Sequence, residues 1–218
     1  MKKLVILGAG GFAREASLLV EQINKTGLDA EQWNLMGYID DNQSKWGKNL
    51  RGYKVLGGFE TLAGLPEDVL AICVVADPVS KLKMVERAQK QGRSFATLIH
   101  PAVDMPEDIV FGRGVLINAG CIFTTNITVG DHVSINPGCG IGHDAEIGSY
   151  STLMWRVNIS GAVQVGQGCM IGTGATILQG LKVEDNSAVG AGAVVNRDLP
   201  AGSTVAGVPA RQLKKIFN

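Results

Sequence analysis

The sequence predicts a small parallel α/β sheet followed by a parallel β-helix, and three observations carry that prediction. From Met105 to Val195 an apolar residue stands at every sixth position, sixteen times in succession, through Phe111, Ile117, Phe123, Val129, Ile135 and onward. A helix repeats near 3.6 residues and a half-buried strand at 2, so a sustained period of six requires short flat segments, each closed by a corner and stacked into a solenoid. Before Pro101 compact apolar runs alternate instead with helical spacing, the order of a parallel α/β sheet. Gly8-Ala9-Gly10-Gly11 lies where the first of those runs passes into the first helical segment.

Taken along the chain, Lys3 to Leu7 reads as a strand, and the helical pattern Ala16, Leu19, Val20, Ile23 continues to about Lys25. A second strand, Leu35 to Ile39, ends in Asp40-Asp41, and a third, Val69 to Val75, ends in Ala76-Asp77-Pro78. The helix Val79 to Gln91 follows, then a fourth strand from Arg93 to Ile99. His100-Pro101 is a natural break, which divides the chain into domains 1–100 and 101–218. Beyond it Ile117-Asn118-Ala119-Gly120-Cys121 recurs eighteen residues later as Ile135-Asn136-Pro137-Gly138-Cys139, so three hexads make one coil and about five coils are expected. Small or short residues such as Val115, Cys121, Val133 and Ala145 recur four positions after the core residues. Gly130, Gly142, Gly148, Gly166, Gly172 and Gly190 crowd the corners, where a positive φ is expected. The tail, Asn196 to Asn218, closes the second domain.

Composition narrows the function. The 218 residues carry 20 basic and 20 acidic side chains, so there is no basic stripe of the kind that binds a phosphate backbone, and nucleic acid is not an expected partner. No apolar run reaches the ~18 residues that span a bilayer, and Met1 to Gly8 lacks the long apolar region and cleavage site of a secretory signal. Cys121, Cys139 and Cys169 fall at the small interior position of the repeat, and Cys73 lies inside an apolar run. They read as buried thiols of a reducing, cytoplasmic compartment.

Two places carry residues with chemistry. Gly8, Gly10 and Ala13 match the phosphate-cradling G-x-G-x-x-G/A pattern, where a glycine turn opens a helix, with a tight turn that holds no ligand as the lesser alternative. Asp40 is thirty positions beyond Gly10 and the domain is short for a dinucleotide, so a Rossmann-like half domain for a mononucleotide is the better match. Asp40 and Asp41 are either acceptors for ribose or base, or a solvated strand end. Among the three histidines, His143 stands two residues after Ile141, at a corner facing outward, with Asp144 beside it. An exposed imidazole held by a carboxylate meets the requirement for a general base near neutral pH, and a polar surface residue is the plainer alternative. Asn136 is expected on the same flank, oriented to a substrate or to that ring. His132 is expected to be solvated and His100 to cap or hinge. No metal is expected, because His132 and His143 are eleven residues apart and do not stack.

On Gly8-Ala9-Gly10-Gly11, Ile39-Asp40-Asp41, His143-Asp144 and the tail Gly207-Val208-Pro209-Ala210, the chain resembles a family over nearly its full length. That family is the sialic acid O-acetyltransferase and UDP-4-amino-sugar N-acetyltransferase group of hexapeptide-repeat acyltransferases. The resemblance implies a left-handed β-helix, a homotrimer with sites between neighbouring subunits, and acetyl-CoA as donor. It implies His143 as catalytic base, Asp144 as its modulator and Asn136 near the acceptor. Gly161, Thr173 and Ala191 would line the CoA channel, with Thr152 where members carry a second histidine. Gly10, Gly11, Asp40, Asp41 and Ala76 would hold the nucleotide of the acceptor. This chain departs at Phe12, where members often have histidine, at Trp155-Arg156, where the pattern has small residues, and at Lys81, which replaces an arginine.

The expected function is therefore acetyl-CoA-dependent acetylation of an amine or hydroxyl on a sugar, nucleotide-linked in the leading reading, by direct transfer. An acyltransferase of the same scaffold with a free-sugar or non-sugar acceptor is the first rival. A non-catalytic trimeric scaffold and a nicotinamide-dependent enzyme follow.

Overall fold

The computed structural model describes residues 1–26 and 32–213, and the chain divides into two compact units, Met1–Pro101 and Ala102–Asn218. The last five positions of the expected tail, 214–218, lie outside the described residues.

In the first unit β1 (Lys2–Leu7), α1 (Gly11–Asn24), β2 (Trp33–Ile39), β3 (Asn49–Leu50), β4 (Tyr53–Gly57), β5 (Val69–Cys73) and α2 (Pro78–Gln89) follow in order. The sheet runs β3-β4-β2-β1-β5; only β3 with β4 is antiparallel. β1 lies inside the sheet between β2 and β5, and Leu4, Val5, Ile6 and Leu7 are wholly buried, which is why it reads as an unbroken apolar run rather than an alternating one. α1 buries Ala13, Ala16, Leu19, Val20 and Ile23, one stripe at helical spacing. α2 starts on Asp77, whose carboxylate accepts the Ser80 N–H at 2.8 Å, followed by Pro78 at the first helical position. Because β2 and β5 flank β1 on opposite sides, the connections leaving the strand ends diverge there and open a crevice at the carboxyl end of β1.

The fourth expected strand, Arg93 to Ile99, is not continuous. A single bridge joins Phe95 to Ala71 and only Leu98–Ile99 is strand. The buried Arg93 guanidinium instead donates to the carbonyls of Pro66 and Leu65, at 2.6 and 2.9 Å, and holds the start of the segment against that loop. The antiparallel β3–β4 pair carried no signal in the apolar pattern, since only Val55 among its larger side chains is buried.

The second unit is a left-handed β-helix of five coils. Its first face contains Ile109–Phe111, Ile127–Val129, Glu146–Ile147, Gln164–Val165 and Lys182–Val183. The second contains Leu116–Ile117, Ser134–Ile135, Thr152–Leu153, Met170–Ile171 and Ala188–Val189. The third contains Ile122–Phe123, Gly140–Ile141, Asn158–Ile159, Thr176–Ile177 and Val194–Val195. Partners in neighbouring coils are eighteen residues apart, as in Ile117, Ile135 and Leu153. From Ile117 to Val195 every sixth residue is buried; Phe111 is half-buried and Met105 precedes the first rung. All four cysteines are buried and reduced.

The corners divide their work between two positions. Three residues after each core residue the backbone is left-handed, at Gly114, Gly120, Asn126, His132, Gly138, Asp144, Tyr150 and every sixth residue to Gly192. On either side of a core residue the N–H bonds to a carbonyl of the following coil, as in Gly140 N–H to Val157 at 3.0 Å and Gly142 N–H to Ile159 at 2.8 Å. At the left-handed residue the N–H turns to the preceding coil, as in Asp144 N–H to Thr125 at 3.1 Å. The glycines expected to need positive φ, Gly130, Gly142, Gly148, Gly166, Gly172 and Gly190, sit one residue after the core position and do not have it. They are glycine for want of space: a Cβ on Gly142 would stand 2.6 Å from the Gly161 nitrogen, and one on Gly148 2.6 Å from the Gln167 nitrogen. His132, expected in solvent, is buried at 2% exposure, its ring turned over Gly114 and stacked on Tyr150 with centroids 5.2 Å apart.

These two roles predict opposite signs for glycine exchange. Gly148→Ala should destabilise the second unit by about 1–3 kcal/mol, the cost of forcing atoms into a packed contact. Ala162→Gly, at φ +56°, should be neutral to stabilising by about 1 kcal/mol, because the left-handed penalty is removed. Urea midpoints of the two variants against the parent check this.

Candidate functional site

The first unit holds a cleft of about 440 Å³ at the carboxyl ends of β1, β2 and β5, and Gly10, Gly11, Phe12, Asp40, Asp41 and Ala76 all line it. Its floor is the glycine turn. Gly8 needs its φ of +104°, but Gly10, at φ −94° with open space where a Cβ would go, is required by neither conformation nor packing. What the missing side chain leaves is access to the start of α1. Gly10 caps that helix without a side-chain bond and no acidic residue lies in the first turn, so the first N–H groups face the cleft unpaired within the helix and favour an anion.

The two acidic residues are brought to this cleft but serve the protein first. Asp40 accepts the Ala9 N–H on Oδ2 and the Asn42 N–H on Oδ1, both at 2.9 Å, with the Lys45 ammonium 2.8 Å from Oδ2. Burial raises the Asp40 carboxyl, yet Lys45 and the two backbone donors more than offset it, so it lies below the usual carboxylate range. Asp41 is held low chiefly by Arg87, 2.6 Å away, against a smaller burial effect, and also accepts the Phe59 N–H. The Arg87 guanidinium stands 4.1 Å over the Phe59 ring, and Phe59 with Met84 forms an apolar wall. Lys45, Phe59, Met84 and Arg87 were not visible as site residues in the sequence; each arrives from an element far along the chain or from a short helical turn after Asp41. Lys81, wholly buried in the inward stripe of α2, is pushed down to about 7 by that burial.

In the second unit His143 and Asp144 occupy the corner between the Gly140–Ile141 and Glu146–Ile147 strands. His143 Nδ1 lies 2.7 Å from Asp144 Oδ2, and both side chains are about half exposed, at 52% and 51%. The bonds from His143 and from Asn126, whose amide donates to Oδ1 at 2.6 Å, hold the Asp144 carboxyl below its ordinary value. Gly161 stands one coil further along, beneath the imidazole: a Cβ there would be 2.6 Å from His143 Cε1. Gly161 and His143 are thus brought together. With Nδ1–H directed at the carboxylate, a neutral ring presents the lone pair of Nε2.

The other expected residues lie elsewhere. Asn136 is buried at 1% exposure and donates its amide to the Leu153 carbonyl at 3.1 Å, as Asn118 does to Ile135; the side chain braces two coils and does not orient His143. Thr152 is wholly buried on the second face. Thr173 and Ala191 are exposed and stacked at the corner between the second and third faces, with Trp155 in the same column. Trp155 is 44% exposed, and Arg156 beside it, at φ +55°, lays its stem over Gly138. Among the described residues no three metal-ligating side chains gather.

The family described as the PglD N-terminal domain matches residues 3–88, and the bacterial transferase hexapeptide family matches residues 162–197. The chain is similar to the structure of WeeI from Acinetobacter baumannii AYE, at 31% identity over 96% of this chain and 99% of that one, with a TM-score of 0.83. It is similar to a mutant of perosamine N-acetyltransferase from Caulobacter crescentus in complex with CoA and GDP-perosamine, at 27% identity over 98% and 97% of the two chains, with a TM-score of 0.87. A third likeness is to the acetyltransferase domain of PglB from Neisseria gonorrhoeae FA1090 in complex with acetyl coenzyme A, at 27% identity over 97% and 99%, with a TM-score of 0.85. No curated protein sequence matches the chain.

The clamp by Asp40 on the glycine turn has a measurable consequence. Asp40→Ala leaves the Ala9 and Asn42 donors unpaired and should lower stability of the first unit by about 1–3 kcal/mol at neutral pH. Because the folded carboxyl lies below its unfolded value near about 4, this contribution is complete above that pH and is lost as pH falls through the folded value. The gap between parent and variant in urea unfolding should therefore close in acid.

Proposed function

The chain belongs to the PglD family of sugar acetyltransferases, and on that premise we propose that it transfers acetyl from acetyl-CoA to an amine or hydroxyl of a nucleotide-linked sugar. The observation that carries this reading is the half-exposed His143 imidazole, held at Nδ1 by Asp144 and seated against Gly161. Nε2 takes the proton from the acceptor nitrogen or oxygen as that atom attacks the thioester carbonyl, and Asp144 stabilises the imidazolium that forms. The new C–N or C–O bond forms, the C–S bond breaks, and the proton on Nε2 passes to the departing CoA sulfur. In this reading transfer is direct: all four cysteines are buried, so none is presented to a thioester as a nucleophile.

In this proposal Gly161, Thr173 and Ala191 line the path of the donor. Thr152 and Asn136 drop out of direct contact, since both are buried within the coil. The His143–Gly161 column and the Trp155–Thr173–Ala191 column stand at different corners of one solenoid with its third face between them. That separation supports a site completed by a neighbouring copy in a homotrimer. The first-unit cleft takes the nucleotide: the start of α1 and Lys45 receive the diphosphate, and Phe12, Asp40, Asp41 and Ala76 border the remainder. Among the described residues no helix is long and apolar enough to cross a membrane; a cytoplasmic setting is part of the proposal, from the reduced cysteines and the donor.

His143→Ala should lower kcat by about 10²–10⁴-fold while CoA binding persists. The assay is thiol release from acetyl-CoA against a panel of nucleotide-linked amino sugars and free sugars. Wild-type turnover in the variant would remove His143 as base, and silence of the parent enzyme with every sugar would remove the acetyltransferase reading.

A further inference from the structure

The dyad at the His143 corner is supported from below by residues that the reaction as described does not use. Asp108, Asn126 and Asp144 are eighteen residues apart and occupy the same corner position in three successive coils. Each is bonded to the next. Asp108 accepts the Asn126 N–H at 2.9 Å and the Thr125 hydroxyl on the same oxygen, Oδ2. Asn126 then donates its side-chain amide to Asp144 Oδ1 at 2.6 Å, and Asp144 Oδ2 faces His143 Nδ1 at 2.7 Å. The backbone adds a parallel link, Asp144 N–H to the Thr125 carbonyl at 3.1 Å.

From this geometry we propose that Asn126 is a positioning residue for the His143–Asp144 dyad: by occupying Oδ1 it fixes the carboxylate plane and presents Oδ2 to the imidazole. The proposal rests on His143 being the base. Asn126 is suited to the place in two ways. Its φ is +53°, a conformation that asparagine tolerates better than most residues, and its amide donates to a carboxylate without adding charge. In the next two coils the same column holds Ala162 and Gly180, which have no side-chain donor. Without the amide, Asp144 is free to rotate about its side-chain torsions in solvent, and its hold on an imidazole that is itself half exposed loosens. Ground-state binding of either substrate does not depend on that hold.

The clean variant is Asn126→Gly, which removes the amide and favours the left-handed backbone, so the corner keeps its fold. It should lower kcat about tenfold with KM for acetyl-CoA unchanged. In an Asp144→Ala background the same substitution should have no further effect, because its route to His143 is already gone; a purely structural asparagine would instead give losses that multiply. An unchanged kcat in Asn126→Gly, or multiplying losses in the double variant, overturns the positioning role while an inactive His143→Ala leaves the base in place. Full turnover in His143→Ala overturns both.

Discussion

Everything in the second unit depends on one constraint: the backbone of each coil finds its hydrogen-bond partners chiefly in the coils stacked on either side of it. The N–H of the residue after most core positions runs forward to the following coil, and that of the left-handed residue at each corner runs back to the preceding one. That reversal requires a left-handed residue, and the chain supplies one at every sixth position. At Gly130, Gly142, Gly148, Gly166 and Gly172 the same stacking brings backbones so close that a β-carbon would strike the next coil. Coils locked in this way turn sequence spacing into space. Residues eighteen apart become a column, and a column is where side chains from distant parts of the chain act on one another.

The His143 corner is built from that property. Asp144 is left-handed because its position in the coil demands it, which swings its carboxylate beside the preceding imidazole; asparagine and aspartate are among the few side chains that accept such a backbone. Gly161, one coil on, leaves room for the ring, and Asn126, one coil before, holds the carboxylate. In the first unit the organising feature is the switch point at the end of β1. Asp40 ties the glycine turn at Ala9 to the loop after β2 at Asn42, so the acid reads as a clamp on the cleft before it reads as a ligand contact.

Much of this was legible in the sequence, for reasons that differ by element. The sixfold period is unusually informative because few structures other than stacked coils produce it, and it placed His143 and Asp144 at an outward corner and three cysteines inside. It failed where one residue type serves two ends. The corner glycines looked like conformational glycines and are steric ones, and His132 looked solvated because spacing alone does not reveal that Tyr150 lies over it. Asn136 shared a flank with His143 on paper, yet its amide is spent on the Leu153 carbonyl. Arg93 to Ile99 carried strand-like residues, but the segment meets the sheet only at the Phe95–Ala71 bridge, while the Arg93 guanidinium is taken up by the Pro66 and Leu65 carbonyls.

Residue order alone is enough for the two-part architecture, the coil period, the helix that opens at Gly10 and the adjacency of His143 and Asp144. Each of these rests on local spacing or on adjacent residues, which a linear pattern preserves. Packing in three dimensions adds that Asp40 and Asp41 are already bonded within the protein, that Lys45, Phe59 and Met84 line the cleft, and that the Asn126 amide is bonded to Asp144. Those relations join residues brought together by a sheet crossover or by a full turn of the solenoid. Their distances depend on packing, of which the order of residues along the chain carries no direct trace.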